Sequence, residues 1–350
     1  MHISGSNYQI LNSANTIIYS STSSSTAFNY LLGSSGIANS GSSIYVASGT
    51  YTVDSTWNIN KASTTITFAS GATLTETAPT SLPANIIINS NNVIITGLTL
   101  NGNGLNQSPS PKTIVTGDSY NNGIYVYGSN CLIQNSIIYN IRYFGIVTYA
   151  SNTGVTNCKI YNCGTNGISA YPGSPNSYFT NNEVYGCADV GINSQAPNTI
   201  ITGNYVHDIN PSSCPISGYQ NSYEGIMCEA GATGTGNGKY LLITGNTITN
   251  CNDCGIAICS SASEALNYIL ISGNTITACA NYGIGIWQNT DAAYNIIESN
   301  TLISPGTYGI YLDSSCTGTI VYANTYSGSF NANFQNNGVG TITTEPSSWG

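Results

Sequence analysis

Five of the chain's 14 acidic residues, Asp189, Asp208, Glu224, Glu229 and Asp253, fall in one short stretch. Paired carboxylates are what glycosidic hydrolysis requires. One protonates the leaving oxygen and the other activates water, with the two about 5 Å apart in retaining enzymes and about 6.5–9.5 Å apart in inverting ones. Asp189 and Asp253 each stand two residues before a Gly-Ile pair, Glu224 directly precedes Gly225, and Glu229 follows that glycine by four. Like charges gathered this closely push at least one carboxyl toward its protonated form, which keeps an acid available at neutral pH. These positions suggest Glu224 as the acid, Asp253 as the base, Asp189 as the group that orients water or sugar hydroxyls, and Glu229 as a fourth member. Ordinary turn acids are the competing reading, since aspartate is common in turns.

The elements that must hold these residues are repeats. A Gly-Ile pair recurs at Gly123, Gly145, Gly167, Gly191, Gly225, Gly255, Gly283 and Gly309, in steps of 22, 22, 24, 34, 30, 28 and 26 residues. Between the pairs runs a second phrase, as in "ITGNTITNC" and "ISGNTITAC", whose asparagine is Asn182, Asn204, Asn246, Asn274, Asn300 or Asn324. Three short apolar runs of period two in about 22 residues are too short for helical repeats or propeller blades. They fit an all-β fold, a parallel β-helix whose coils stack about 4.8 Å apart so that each repeat position forms a column. Asparagine suits the bend because it tolerates the left-handed conformation and can bond its stacked neighbour.

Alternation then places the Ile inward and the residue four after each Gly outward. The outer column reads Tyr127, Tyr149, Tyr171, Gln195, Glu229, Cys259, Trp287 and Asp313. Aromatic faces in such a column could hold sugar rings, so Tyr127, Tyr149, Tyr171, Gln195 and Trp287, with Lys239 in the nearby loop, are the candidate glycan-binding residues; stacking that only stabilises the ladder is the alternative. His207, in "YVHDI", falls on another exterior ladder with Tyr139, Tyr161 and Tyr185. Two insertions, "NPSSCPISGYQNSYE" and "GATGTGNGKY", lengthen the coil around Glu224, and loops 209–223 and 230–240 are expected to wall a cleft there.

Composition limits the partners. Charged residues are 5%, net charge is −9, and Lys plus Arg number five, which leaves no basic stripe for nucleic acid. No apolar run reaches the length of a membrane span, and the first 30 residues lack a basic start followed by an apolar stretch, so any export signal is expected to have been removed or to lie outside this sequence. Of the 11 cysteines, Cys163, Cys187, Cys251 and Cys279 share one repeat position and read as buried free thiols. Cys251 and Cys254 form a CxxC without a second pair at zinc spacing, so no metal site is expected there. A disulfide involving Cys214, Cys228 or Cys254 stays open.

The segment "STAFNYLLGSSGIANSGSSIYVASGTYTV" resembles the opening of pectate-lyase-like right-handed β-helix proteins, where a capping helix leads into the first strand. "NNVIITGLTLNGNG" resembles their first full coil. The resemblance implies an N-terminal cap over 1–43, a right-handed parallel β-helix over 44–329 and a C-terminal cap or tail over 330–350. It leaves function open among lyases, hydrolases, epimerases, tailspikes and adhesins. The Asp-Asp and Gly-His-Gly phrases of polygalacturonase-type relatives are missing, so no catalytic residue carries over. The expectation is a secreted or cell-surface protein that binds a neutral or weakly charged polysaccharide and hydrolyses it without a cofactor. A non-enzymatic adhesin, filament or coat protein is the alternative. A lyase comes third, because with so few basic residues it would depend on a metal such as calcium held by Asp189, Glu224 and Asp253.

Overall fold

In the computed structural model, residues 1–77, 82–107, 121–210, 212–216, 222–229, 238–259, 266–287 and 292–344 are described. Three parallel sheets of 12, 11 and 11 strands wrap one core. A single coil runs Leu132–Gln134 in the first sheet, Ile137–Ile141 in the second and Ile146–Thr148 in the third, then returns to the first at Gly154–Thr156. Register is kept without slips in this part, with Ile133 paired to Val155, Ile138 to Ile160 and Ile146 to Ile168. Every second residue therefore points inward, and the Ile, Leu and Val columns form one continuous core. The fold is the expected right-handed parallel β-helix. Regular strands continue to Ala332–Asn336 in the third sheet and Ile342–Thr343 in the first.

The Gly of each Gly-Ile pair is needed because coils approach too closely for a side chain. A Cβ on Gly225 would lie 2.5 Å from Ile248 Cγ2 and 2.7 Å from the Gly255 carbonyl oxygen. The asparagine column is present as a hydrogen-bonded ladder. Asn204 donates its backbone N–H and its Nδ2 to Asn246 Oδ1 at 2.9 and 3.0 Å, and the pattern repeats from Asn182 to Asn324. One detail differs from expectation. The left-handed conformation belongs to the preceding residue (Asn181, Gly203, Gly245, Gly273, Ser299 or Ala323) rather than to the ladder asparagine. The reason is division of labour: the sharp φ must precede the bend, so the next side chain can turn inward and bond its neighbour.

All 11 cysteines are buried free thiols, so the disulfide left open above does not form. Burial pushes the Cys228 thiol well up and that of Cys214 to about 12, so both stay protonated. The N-terminal end is closed by helix α1, Ser24–Leu32, whose start is capped by the Ser23 hydroxyl accepting the Thr26 N–H at 3.1 Å. Phe28 of this helix stacks on Trp57 at 4.0 Å between ring centres, sealing the first coils. A three-stranded antiparallel sheet, His2–Ser4, Asn7–Leu11 and Ile17–Ser21, precedes the helix. No helix of the described residues is long and apolar enough to cross a membrane.

Candidate functional site

The outer face of the third sheet has a polar window between two apolar clusters. Toward the N-terminus, Tyr125, Val147 and Ala84 pack with Phe144, Tyr149 and Tyr171. Toward the C-terminus, Cys254, Ala257 and Cys259 pack with Met227, Tyr282 and Trp287. Ile168–Ala170, Ile192–Ser194 and Ile226–Cys228 pair in register between them and carry the outward residues Ser169, Asn193 and Met227.

Glu224 lies at the edge of this window, two residues before the strand Ile226–Cys228. Its backbone is held by the Gly191 N–H, which donates to the Glu224 carbonyl at 3.0 Å. The side chain is only 3% exposed, and Oε2 has no hydrogen-bond partner. Burial, then the charge of Asp253, then those of Asp189 and Glu229 raise its pKa to about 8, against a smaller opposing pull from its own backbone N–H. A carboxyl in this state keeps its proton at neutral pH and can donate it. Asp189 Oδ1 accepts the Ser222 N–H at 3.0 Å. Asp253 donates its backbone N–H to the Tyr223 carbonyl at 3.2 Å, and its Oδ1 accepts a hydrogen bond from the Cys254 thiol at 3.4 Å. Glu229 Oε1 accepts Asn193 Nδ2 at 2.7 Å and Gln195 Nε2 at 2.5 Å. Asp189, Tyr223 and Asp253 thus occupy one repeat position in three consecutive coils, with Glu224 beside the middle one. Stacked coils put the two aspartates roughly 9–10 Å apart along the backbone.

The other predicted residues divide. Gln195 joins the acid group through Glu229. Tyr149 stacks on Tyr127 with ring centres 5.0 Å apart and lies tilted by 34° against Tyr171 at 4.9 Å, so these rings pack chiefly on each other. Tyr127 is the most open, at 48% exposure. Trp287 lies flat over Gly285, where a Cβ would meet its ring at 2.3 Å. Lys239 sits at the bend into the first sheet, where its carbonyl takes the Asn198 N–H at 2.9 Å, and it forms no ion pair among the described residues. Of the walling loops, 211, 217–221 and 230–237 lie outside the described residues.

Asp208 stands apart from the other acids. It pairs with His207 Nδ1 at 2.8 Å on the second sheet, where His207 stacks on Tyr185 at 4.7 Å and Lys159 bonds Glu183 at 2.9 Å.

Among the described residues no three His, Cys, Asp or Glu side chains are arranged to hold a metal ion. Sequence reasoning missed Tyr223, whose φ of 114° is strained for a bulky residue. It also missed Asn166, Ser169 and Asn193. Outward alternation would have identified Ser169 and Asn193, whereas no residue pattern marks Tyr223.

The family described as "Right handed beta helix region" matches residues 84–232 and 219–341. No curated protein sequence matches the chain. Among solved structures, the chain is similar to the A-module of a mannuronan C-5 epimerase from Azotobacter vinelandii, with TM-score 0.66 and 14% identity over 87% of this chain and 89% of that one. It is also similar to the Dettilon tailspike protein, with TM-score 0.62 and 15% identity over 88% of this chain and 64% of the other. The catalytic domain of a GH87 α-1,3-glucanase in complex with tetrasaccharides gives TM-score 0.57 and 16% identity, over 87% of this chain and 62% of that domain. At these identities the likeness is one of fold.

Proposed function

The chain belongs to the right-handed β-helix region family, and from that premise we propose that it is a polysaccharide-active β-helix protein, a glycoside hydrolase acting on a neutral or weakly charged glycan. The observation that carries this reading is Glu224, a buried carboxyl kept protonated near neutral pH beside three further carboxylates. In the proposed reaction Glu224 gives its proton to the glycosidic oxygen as the bond from that oxygen to the anomeric carbon breaks. Asp253 takes a proton from the water that adds to that carbon, and Asp189 orients the water or a sugar hydroxyl. Glu229, fixed by Asn193 and Gln195, holds negative charge near the developing positive centre. The place of action in this reading is outside the cell, secreted or at the surface, where polymeric glycan is met. The epimerase and glucanase named above act on or bind polysaccharide by their titles, which supports the substrate class.

A non-enzymatic surface role has one observation in its favour, the nearly uncharged exterior with charged residues at 5%. The deciding experiment is a reducing-sugar screen over neutral and uronic glycans, with and without chelator. Glu224→Gln and Asp253→Asn should each fold normally and lower turnover by roughly 100-fold or more. Full activity in both would place the chemistry elsewhere. Chelator-sensitive release of unsaturated uronate would make the protein a lyase, and absence of any cleavage alongside self-association would favour the surface role.

A further inference from the structure

Three polar atoms in the window of the third sheet are buried without hydrogen-bond partners: Asn166 Oδ1, Asn193 Oδ1 and Glu224 Oε2. Their residues are 4%, 6% and 3% exposed. The remaining amide atoms are committed, since Asn166 Nδ2 donates to Ser169 Oγ at 3.1 Å and Asn193 Nδ2 donates to Glu229 Oε1 at 2.7 Å. Buried polar atoms in proteins are nearly always paired, because one left unpaired has lost its water without replacement. Buried unpaired atoms occur elsewhere among the described residues too, as at Asn85 Oδ1 and Thr319 Oγ1, so what sets these three apart is that they lie on one sheet face around the candidate acid.

Register places them together. Ser169 and Asn193 are ladder partners in adjacent coils, and Asn193 pairs in turn with Met227, three residues after Glu224. Asn166 occupies the repeat position of Glu224 two coils earlier, with Val190 between them; its carbonyl takes the Gly145 N–H, and Gly167 donates to Val190. Two amide oxygens can only accept, and a protonated carboxyl can donate. The missing ligand must supply two donors and one acceptor, which two hydroxyls and an ether oxygen do. It must also carry no negative charge, because Asp189, Glu229 and Asp253 face the same window and would repel a carboxylate.

We infer that Asn166 and Asn193, backed by Ser169, form the subsite for an uncharged, hydroxyl-rich sugar ring on the N-terminal side of Glu224, the two amide oxygens accepting from two ring hydroxyls. The word sugar rests on the proposed glycan function, whereas the pairing requirement does not. The subsite favours neutral hexosyl or pentosyl units over uronates, and Asn166 and Asn193 are its specificity-determining residues.

The test uses the full chain and its Glu224→Gln variant, which cannot consume substrate, against neutral gluco-, manno-, galacto- and xylo-oligosaccharides and against oligouronates, followed by calorimetry. At least one neutral oligosaccharide should bind both proteins, oligouronates should not, and Asn166→Leu should weaken binding about tenfold or more. Asn166→Leu also breaks the bond to Ser169 Oγ, so the stability readout is the double variant Asn166→Leu/Ser169→Ala, which leaves neither group unpaired and should keep or raise the unliganded thermal midpoint; a purely structural asparagine would lower it. Asn193→Ser, which keeps a polar group beside Glu229, should weaken binding similarly. A deoxy analogue lacking the recognised hydroxyl should lose affinity for the parent and not for Asn166→Leu. Parental affinity in both variants, tighter binding of uronates, or no binding of any neutral oligosaccharide would overturn the inference. Binding with these dependences but no cleavage by the parent would uphold the subsite and overturn hydrolysis.

Discussion

The backbone N–H of Asp253 donates to the carbonyl of Tyr223 at 3.2 Å, so the aspartate is tied by main chain alone to the residue beside Glu224. That carbonyl is aimed by a φ of 114°, a conformation few side chains tolerate. Strain of this kind costs on the order of 1–3 kcal/mol and persists where the surroundings enforce it. Comparing Tyr223→Ala with Tyr223→Gly separates strain from the lost ring, because both remove the phenol and only glycine relaxes the backbone. In urea titrations the Gly variant should be more stable than the Ala variant by about 1 kcal/mol. Equal midpoints would mean that φ is not strained in solution.

Glu224 gives the stability of the protein a pH dependence with a fixed sign. An ordinary glutamate releases its proton near 4.5, whereas folded Glu224 holds it to about 8. Between those values the folded state binds more protons than the unfolded one, so stability falls as pH rises through the window. Glu224→Gln has no such loss. Its thermal midpoint should match or trail the parent at low pH and overtake it as pH approaches 8, the relative gain amounting to a few kcal/mol in order of magnitude. A difference independent of pH would show that Glu224 is ionised in the fold. Glu183 and Asp208 act oppositely, since their pKa values are lowered, Asp208 chiefly by its hydrogen bond from His207 and Glu183 by Lys159 and His207 against its own burial. Their contributions are present above the ordinary carboxylate pKa and are lost as pH falls through the lowered values.

The asparagine ladder should be the most sensitive non-catalytic feature. Asn246 Nδ2 donates to Ile201 O and Asn274 Oδ1, each at 2.9 Å, and its Oδ1 accepts the N–H and Nδ2 of Asn204. Asn246→Ala leaves several buried groups unpaired and should lower stability by about 3 kcal/mol or more. Asn246→Ser should cost less, because Ser136 Oγ fills this place in an early coil by accepting the Leu98 N–H at 3.2 Å. Chemical denaturation midpoints decide the ranking.

Trp287 and Gly285 make a linked pair. Gly285→Ala puts a methyl group within 2.3 Å of the indole and must lift the ring from the sheet. If Trp287 is a sugar platform, Gly285→Ala and Trp287→Ala should weaken glycan binding alike while the thermal midpoint moves little. Tyr149→Ala, which breaks one ring stack and one tilted ring contact, should chiefly lower stability. Unchanged binding in both Trp287→Ala and Gly285→Ala would leave the indole a packing residue.

Columns were readable from sequence because a solenoid repeats its constraints: the close approach at Gly225 is the close approach at Gly255, so the same residue type recurs and the coil length follows. The inward Ile, the thiol column and the asparagine ladder were all legible on that basis. What a repeat cannot encode is what happens once. The antiparallel sheet at Asn7–Leu11 pairs by hairpin rather than by stacking. Tyr223 takes a conformation that glycine or asparagine usually marks, and Asn166 matters through an absent bond rather than a pattern. The acids near Glu224 were legible as a cluster, while the departure of Asp208 to the second sheet needed coordinates.

The ladder of amides also has a direction. From Asn182 to Asn300 each asparagine gives its backbone N–H and one Nδ2 hydrogen to the side-chain oxygen of the asparagine in the coil that follows, and its other Nδ2 hydrogen back to a carbonyl of the coil before. A chain emerging from the ribosome makes its N-terminal coils first. At every moment of synthesis, then, the newest asparagine bend is left with donors whose acceptor has not yet been translated, and each coil is finished only by its successor. The growing end stays one coil behind itself, an adhesive front that must be closed by whatever sequence comes next.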